Sequence, residues 1–229
     1  MKSKTLIASV IINALVALYV PVTLSAAESA TALTAEVVNE TGIDEVVGVK
    51  ANRAAVLRAQ ILLDRAHFSP GEIDAAYGGN MRKAISAYQA NQAIVVTGTV
   101  DTATWAALNK DDLPALTSYV ITAADVAGPF VAIPSGMAAK SKLDALGYAS
   151  AIEALAEKFH VSPRLLQSLN AGKNFKLAGE SIVVPNVLSP EPLPAITKVL
   201  VDRSDSSVSL LDAADKVIAR FPASTGSKH

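Results

Sequence analysis

Between Asn52 and Leu108 the chain is broken by turn signals at short intervals, and this limits it to short helices. Ser69-Pro70-Gly71, Gly78-Gly79-Asn80 and Thr97-Gly98 each combine residues that stop a helix or supply left-handed backbone. The segments between them carry helical patterns. Val56, Ala59, Leu63 and Ala66 recur at helical spacing behind Asn52, a capping residue. Met81, Ala84, Ile85 and Tyr88 fall at i, i+3, i+4 and i+7 and make a second stripe. Asp101 caps a third short helix, and Val100 before it is placed to staple onto Trp105. The pattern predicts a three-helix domain over 51–110, of about 60 residues and near the lower size limit for independent folding.

Nothing in the composition offers a covalent staple for so small a unit. The 229 residues include no cysteine, which excludes disulfides, thiolate metal sites and a cysteine nucleophile. Lys and Arg number 20 against 21 Asp and Glu, so the basic face of a nucleic-acid binder is not expected. Hydrophobic residues make up 51% of the chain but aromatics only 5%, which suits small cores rich in alanine and poor in large anchors. At the N-terminus, Lys2 and Lys4 precede an apolar run from Leu6 to Val20, then Pro21 and the small residues Ser25-Ala26-Ala27. This order predicts a secretory leader over 1–27, cleaved on export to the periplasm or cell wall, with only transient membrane contact. The run is shorter than the ~20 residues a spanning helix needs. Residues 28–50, weakly periodic, are read as a tether.

After the first domain, Ser150 and Glu153 form a capping box, and Ile152, Leu155, Ala156 and Phe159 follow at helical spacing. Ser162-Pro163 opens a further helix with Leu165, Leu166 and Leu169 on its core side. Ser181 to Pro185 reads as a strand that closes a second domain over 119–186. Residues 187–196 hold Pro190, Pro192 and Pro194 and form a stiff linker. Beyond it, Lys198–Asp202, Val208–Leu211 and Val217–Pro222 are three short strands within 197–229. The expected fold class is α+β: a three-helix domain, a strand–helix–helix–strand domain and a C-terminal β-meander.

Three family resemblances overlie these segments. Ile73-Asp74-Ala75-Ala76-Tyr77-Gly78, Ala84-Ile85 with Tyr88-Gln89, and Gly98-Thr99-Val100-Asp101 with Thr104-Trp105 and Leu108 resemble the helical peptidoglycan-binding domain of cell-wall enzymes. Ala75 stands where that family usually has Gly, and Asn80 where Thr is common. The resemblance implies a shallow groove beside the Asp74–Gly78 turn and peptidoglycan, glycan strand and stem peptide, as partner. Glu153 to Ser162, Leu169-Asn170 and Gly179 to Pro185 resemble a LysM domain, which binds N-acetylated glycans through a strand–helix–helix–strand fold. A long stretch, Ala127 to Gly147, is foreign to a minimal LysM domain. Val199 to Asp202, Val208 to Asp212 and Phe221 to Gly226 resemble the opening of an L,D-transpeptidase catalytic domain. That enzyme uses a Ser-His-Gly-Cys motif, which this chain does not contain. The three together imply the wall-binding front portion of such a protein.

The candidate ligand-binding residues follow from these turns. Asp74, Tyr77, Gly78, Tyr88 and Gln89 surround the first domain's turn, and Tyr88 and Trp105 also fit a purely structural place on their helices. In the second domain Asn170, Leu177 and Gly179 lie in the loop that lines the related groove, where Asn170 serves equally as a helix cap. No catalytic set is expected. His67, Asp64 and Ser69 are neighbours in sequence, which does not make a triad, and His160 reads as the end of a helix. No histidine pair has metal-ligand spacing, and Gly78-Gly79 lacks the lysine of a phosphate loop, so no cofactor or metal is expected. A stand-alone wall-binding protein and an enzyme with an unrecognised site are the alternatives.

Overall fold

The computed structural model describes residues 33–42, 45–190 and 192–224. The leader expected at 1–27 and the first residues of the expected tether lie outside the described residues. In chain order the elements are α1 (Ala35–Asn39), α2 (Arg53–Arg65), α3 (Gly79–Asn91), α4 (Thr102–Leu108), β1 (Leu116–Val120), α5 (Met137–Lys140), α6 (Ala151–Lys158), α7 (Pro163–Leu169), β2 (Ser181–Pro185), β3 (Lys198–Asp202), β4 (Ser207–Leu211) and β5 (Val217–Pro222). The fold is mixed α+β, as expected from the sequence.

Local chemistry starts most of these helices. Asn52, Asp101, Ser150 and Ser162 each accept a hydrogen bond from a first-turn amide of α2, α4, α6 and α7, satisfying donors that have no partner inside the helix. Glu153 reaches back to the amide of Ala149 at 2.7 Å, completing a variant of the capping box. Val100 and Trp105 are both buried in one core, and the Trp105 indole N–H donates to the carbonyl of Glu45 at 2.9 Å.

Helix α2 organises the molecule because it has two apolar faces. Ala55, Val56, Ala59, Leu62 and Leu63 pack with Met81 and Ile85 of α3 and Trp105 of α4. Ala54, Leu57 and Ile61 enter a different core with Leu116, Leu155, Leu166 and Ile182. The periodicity Val56–Ala59–Leu63 exposed the first face only. The two domains expected at 51–110 and 119–186 therefore share a helix. The segment between them is no linker: Ala115 is buried and β1 already begins at Leu116. Arg65, 3% exposed, seals this seam by donating to the carbonyls of Pro114 at 2.9 Å and Asn186 at 3.1 Å and pairing with Asp111 at 2.8 Å.

The described part of the expected tether also folds. Val38 is fully buried, Asn39 exchanges two hydrogen bonds with the backbone of Leu116, and Val47 bridges Val100. Its apolar residues were too few to show a period, and only tertiary contact holds them.

β1 pairs antiparallel with β2, with α6 and α7 between them in sequence, giving the strand–helix–helix–strand order. Tyr119 of β1 stacks edge-on with Phe159 at 4.9 Å and donates to Asp125 at 2.6 Å, and Lys158 of α6 meets both Tyr119 and Asp125. Burial pushes the Asp125 carboxyl up, but hydrogen bonds from Tyr119, Thr122 and Lys158 outweigh it and hold the group well below the usual range.

The C-terminal strands form an antiparallel sheet in the order β3-β4-β5. The sheet does not stand alone, because β5 is anchored to the rest of the fold. It bridges Phe68, and Arg220 exchanges backbone hydrogen bonds of 2.9 and 2.8 Å with His67 and Ser69. Asn91 of α3 donates to the carbonyl of Val217 at 2.7 Å.

One ion pair joins α2 to the end of α6: His160 Nδ1 and Asp64 Oδ2 lie 2.7 Å apart. The hydrogen bond that the protonated ring donates to the Asp64 carboxylate raises the His160 pKa above 6.5, against the opposing effect of burial. A raised folded-state pKa gives stability that is complete below the unfolded value and is lost as pH rises through the folded one. His160→Gln should therefore cost more stability at about pH 5.5 than at about pH 8.5 in paired thermal melts. Equal cost at both would show the pair to be uncharged.

Candidate functional site

The loop from α2 to α3 is built by one buried side chain. Gln60, 2% exposed, donates to the Asp74 carboxylate at 2.8 Å and the Ala76 carbonyl at 3.2 Å, and accepts from the amides of Asp74 at 3.2 Å and Ala75 at 2.8 Å. Asp74 Oδ1 also accepts the Ala76 amide at 2.8 Å. The turn thus mimics a short piece of ladder with a side chain as its partner strand. Ala75 sits at its centre with φ 59°, a left-handed conformation that glycine adopts at no steric cost. Its methyl is buried in the core with Ile73, which accounts for an alanine at a strained position.

Beside this turn is a groove of about 380 Å³, lined by Gln60, Glu72, Asp74, Gly78, Gly79 and Asn80 among others. Two carboxylates and no cation line it, so it presents acceptors to hydroxyl, amide or ammonium donors. Asn80 and the start of α3 add donors, since Gly78 provides no side-chain cap to the first-turn amides. A Cβ built on Gly78 or Gly79 meets no atom within 4 Å, and φ of Gly78 is −133°. The fold does not require glycine there, and its effect is to leave the wall of the groove as bare backbone.

The predicted site residues divide. Asp74 and Gly78 are exposed in the groove. Tyr77 is half-buried, packs against the helical core and donates to the Gly98 carbonyl at 2.6 Å; burial raises its pKa. Tyr88 and Gln89 do not line the groove and are buried. Tyr88 is 3% exposed, stacks edge-on with Phe68 and donates to Ala107 at 2.7 Å, and burial pushes its phenol up to about 12. Gln89 is fully buried and clamps the 97–99 turn: it accepts from the Thr97 and Gly98 amides and donates to Thr97, Thr99 and Thr104. Both side chains were drawn inward because their polar ends could pair with backbone there. Glu72 and Asn80, which do line the groove, had only their position beside the turn to mark them.

In the second domain Asn170 is 5% exposed and joins α7 to β2, donating to Leu166 and Val183 and accepting the Val183 amide at 2.6 Å. It is structural, beyond a simple cap. Leu177 is 53% exposed, and Gly179 holds a turn at φ 90° with its amide bonded to the Ile121 carbonyl. These two remain on the surface, apart from the first groove.

The residues Asp64, His67 and Ser69 do not assemble as a triad, since Asp64 turns to His160. Among the described residues no three His, Asp or Glu are placed to hold a metal.

Residues 52–108 match the family model of a peptidoglycan binding domain. No curated protein matches the chain.

Proposed function

We propose that this is an exported protein that binds peptidoglycan through the groove at Asp74–Asn80 and does not itself crosslink it. The observation that carries the reading is the open, acceptor-lined groove lying inside the peptidoglycan-binding domain at 52–108. Glycan hydroxyls and acetamide N–H groups are donors, and acetamide carbonyls match Asn80 and the α3 amides. The leader read at 1–27 supports delivery to the periplasm or wall. The strand–helix–helix–strand unit is read as a LysM-like second contact, since two weak sites on one body raise each other's occupancy. The β3–β5 segment is read as similar to the opening strands of an L,D-transpeptidase catalytic domain, which would ally this wall-binding chain with that family.

Co-sedimentation with purified sacculi tests the binding. Asn80→Ala, which removes one exposed polar group, should weaken it by about 3–10-fold, the worth of one hydrogen bond. Gly78→Ser supplies α3 with a capping hydroxyl while filling the groove wall; it should melt no lower than the parent and bind more weakly. Unchanged binding by both folded variants moves the site elsewhere. Transpeptidation by the family's chemistry needs a thiolate to form the acyl-enzyme, and no cysteine is present. Mass spectrometry of tetrapeptide muropeptides incubated with the protein should show no L,D-crosslinked dimers above a no-protein control.

A further inference from the structure

Among the described residues, the C-terminal sheet has one edge occupied and one open. On the β5 side the bridge to Phe68 closes it; on the other side β3 pairs, among the described residues, with β4 alone. The open edge is apolar: Val199 is 59% exposed, Leu200 49% and Val201 57%. Such an edge offers unpaired backbone donors and acceptors to another strand.

The sequence of β3 says which strand. Lys198-Val199-Leu200-Val201-Asp202 has opposite charges at its ends and is symmetric in apolar residues about Leu200. We infer that β3 is a homodimer edge, pairing antiparallel with β3 of a second copy about a two-fold axis through Leu200. In that register Lys198 faces Asp202 of the second copy at both ends, Val199 faces Val201, and Leu200 faces Leu200. The same patch meets itself, as a two-fold interface requires. A parallel pairing would set Lys198 beside Lys198 and Asp202 beside Asp202, which is repulsive. A two-residue slip sets a charge against Leu200 and leaves the opposite end unmatched. A one-residue slip throws the side chains onto opposite faces. Charge and apolar pattern together select one arrangement.

The existing partners of the two charges allow it. Lys198 pairs with Asp215 at 2.5 Å, but both side chains are more than half exposed, and its ammonium has donors to share. Asp202 holds its turn through Oδ1 alone, accepting from Ser204 and Asp205. The pairing would join two three-stranded sheets into one and extend the row of Val208 and Leu210, which lie opposite Val201 and Val199. A five-residue edge is at the low end of interface size, so the dimer is concentration-dependent.

Sedimentation of the purified protein between about 1 and 500 µM should show the mass climbing from one chain toward two, as a small interface implies. The absence of cysteine gives a register probe. Opposed residues of antiparallel strands have Cα atoms about 4.5–5.5 Å apart, within disulfide reach. Leu200→Cys should therefore oxidise to a covalent dimer at least about tenfold faster than Val95→Cys, a control thiol at an exposed position outside the C-terminal strands. Lys198→Asp should abolish the mass increase, and adding Asp202→Lys should restore it if the double variant keeps the parent circular dichroism spectrum. A single-chain mass at every concentration overturns the proposal, as does Leu200→Cys crosslinking no faster than the control.

Discussion

Ile61→Ala should destabilise the whole described fold by about 3–4 kcal/mol, the usual cost of emptying a fully buried aliphatic position. Ile61 is fully buried and belongs to the core of β1, α6, α7 and β2, yet it sits on the helix that also carries the peptidoglycan-binding domain. The loss should therefore appear in both halves at once. Calorimetry should give one cooperative transition, shifted as a unit, and hydrogen exchange should report equal loss of protection in α3 and α7. Two transitions, with only the later one shifted, would show that the halves are independent domains on a common helix. The same geometry implies that residues 52–108 cut from the chain would expose Leu57 and Ile61. Binding is therefore better dissected by surface substitutions than by isolated domains.

Gln89→Leu should cost about 3 kcal/mol, because it strands several polar groups in a closed site. The fully buried amide accepts from Thr97 and Gly98 and donates to Thr99. A leucine of similar size fills the space but meets none of these groups, and unpaired buried polar atoms cost more than a lost contact. Gln89→Glu should not rescue it, since a carboxylate would face the Thr99 carbonyl without a donor. Chemical denaturation measures the loss, and faster exchange of the Thr97 and Gly98 amides locates it. A change below about 0.5 kcal/mol, the level of an ordinary surface substitution, would show that the 97–99 turn holds without the clamp. Gln89 would then be free for another role.

These two positions show where reading the sequence stops. Gln89 was proposed as a ligand contact because it lies near a turn and has the carboxamide a glycan receptor uses. Backbone amides and carbonyls need the same chemistry, and only the fold says which of the two the side chain meets. Asn170 and Tyr88, for which the sequence also offered a structural place, turn inward for the same reason. Asp74 and Gly78, on the turn itself, stand exposed in the groove, while Ala75 between them is buried in the core.

The sequence by itself determined what is decided within a few residues. Asn52, Asp101, Ser150 and Ser162 fix helix starts by bonding amides three residues on, and the three C-terminal strands follow from apolar runs between polar turns. Only the tertiary structure decided that α2 has two inward faces, that Val38 and Val47 belong to cores, and that β5 is anchored while β3, among the described residues, pairs with β4 alone. Those outcomes depend on partners as distant as Asn39 from Leu116 or His67 from Arg220. A periodic stripe states that a face is apolar, but burial is a property of two surfaces, and the second is supplied by the fold.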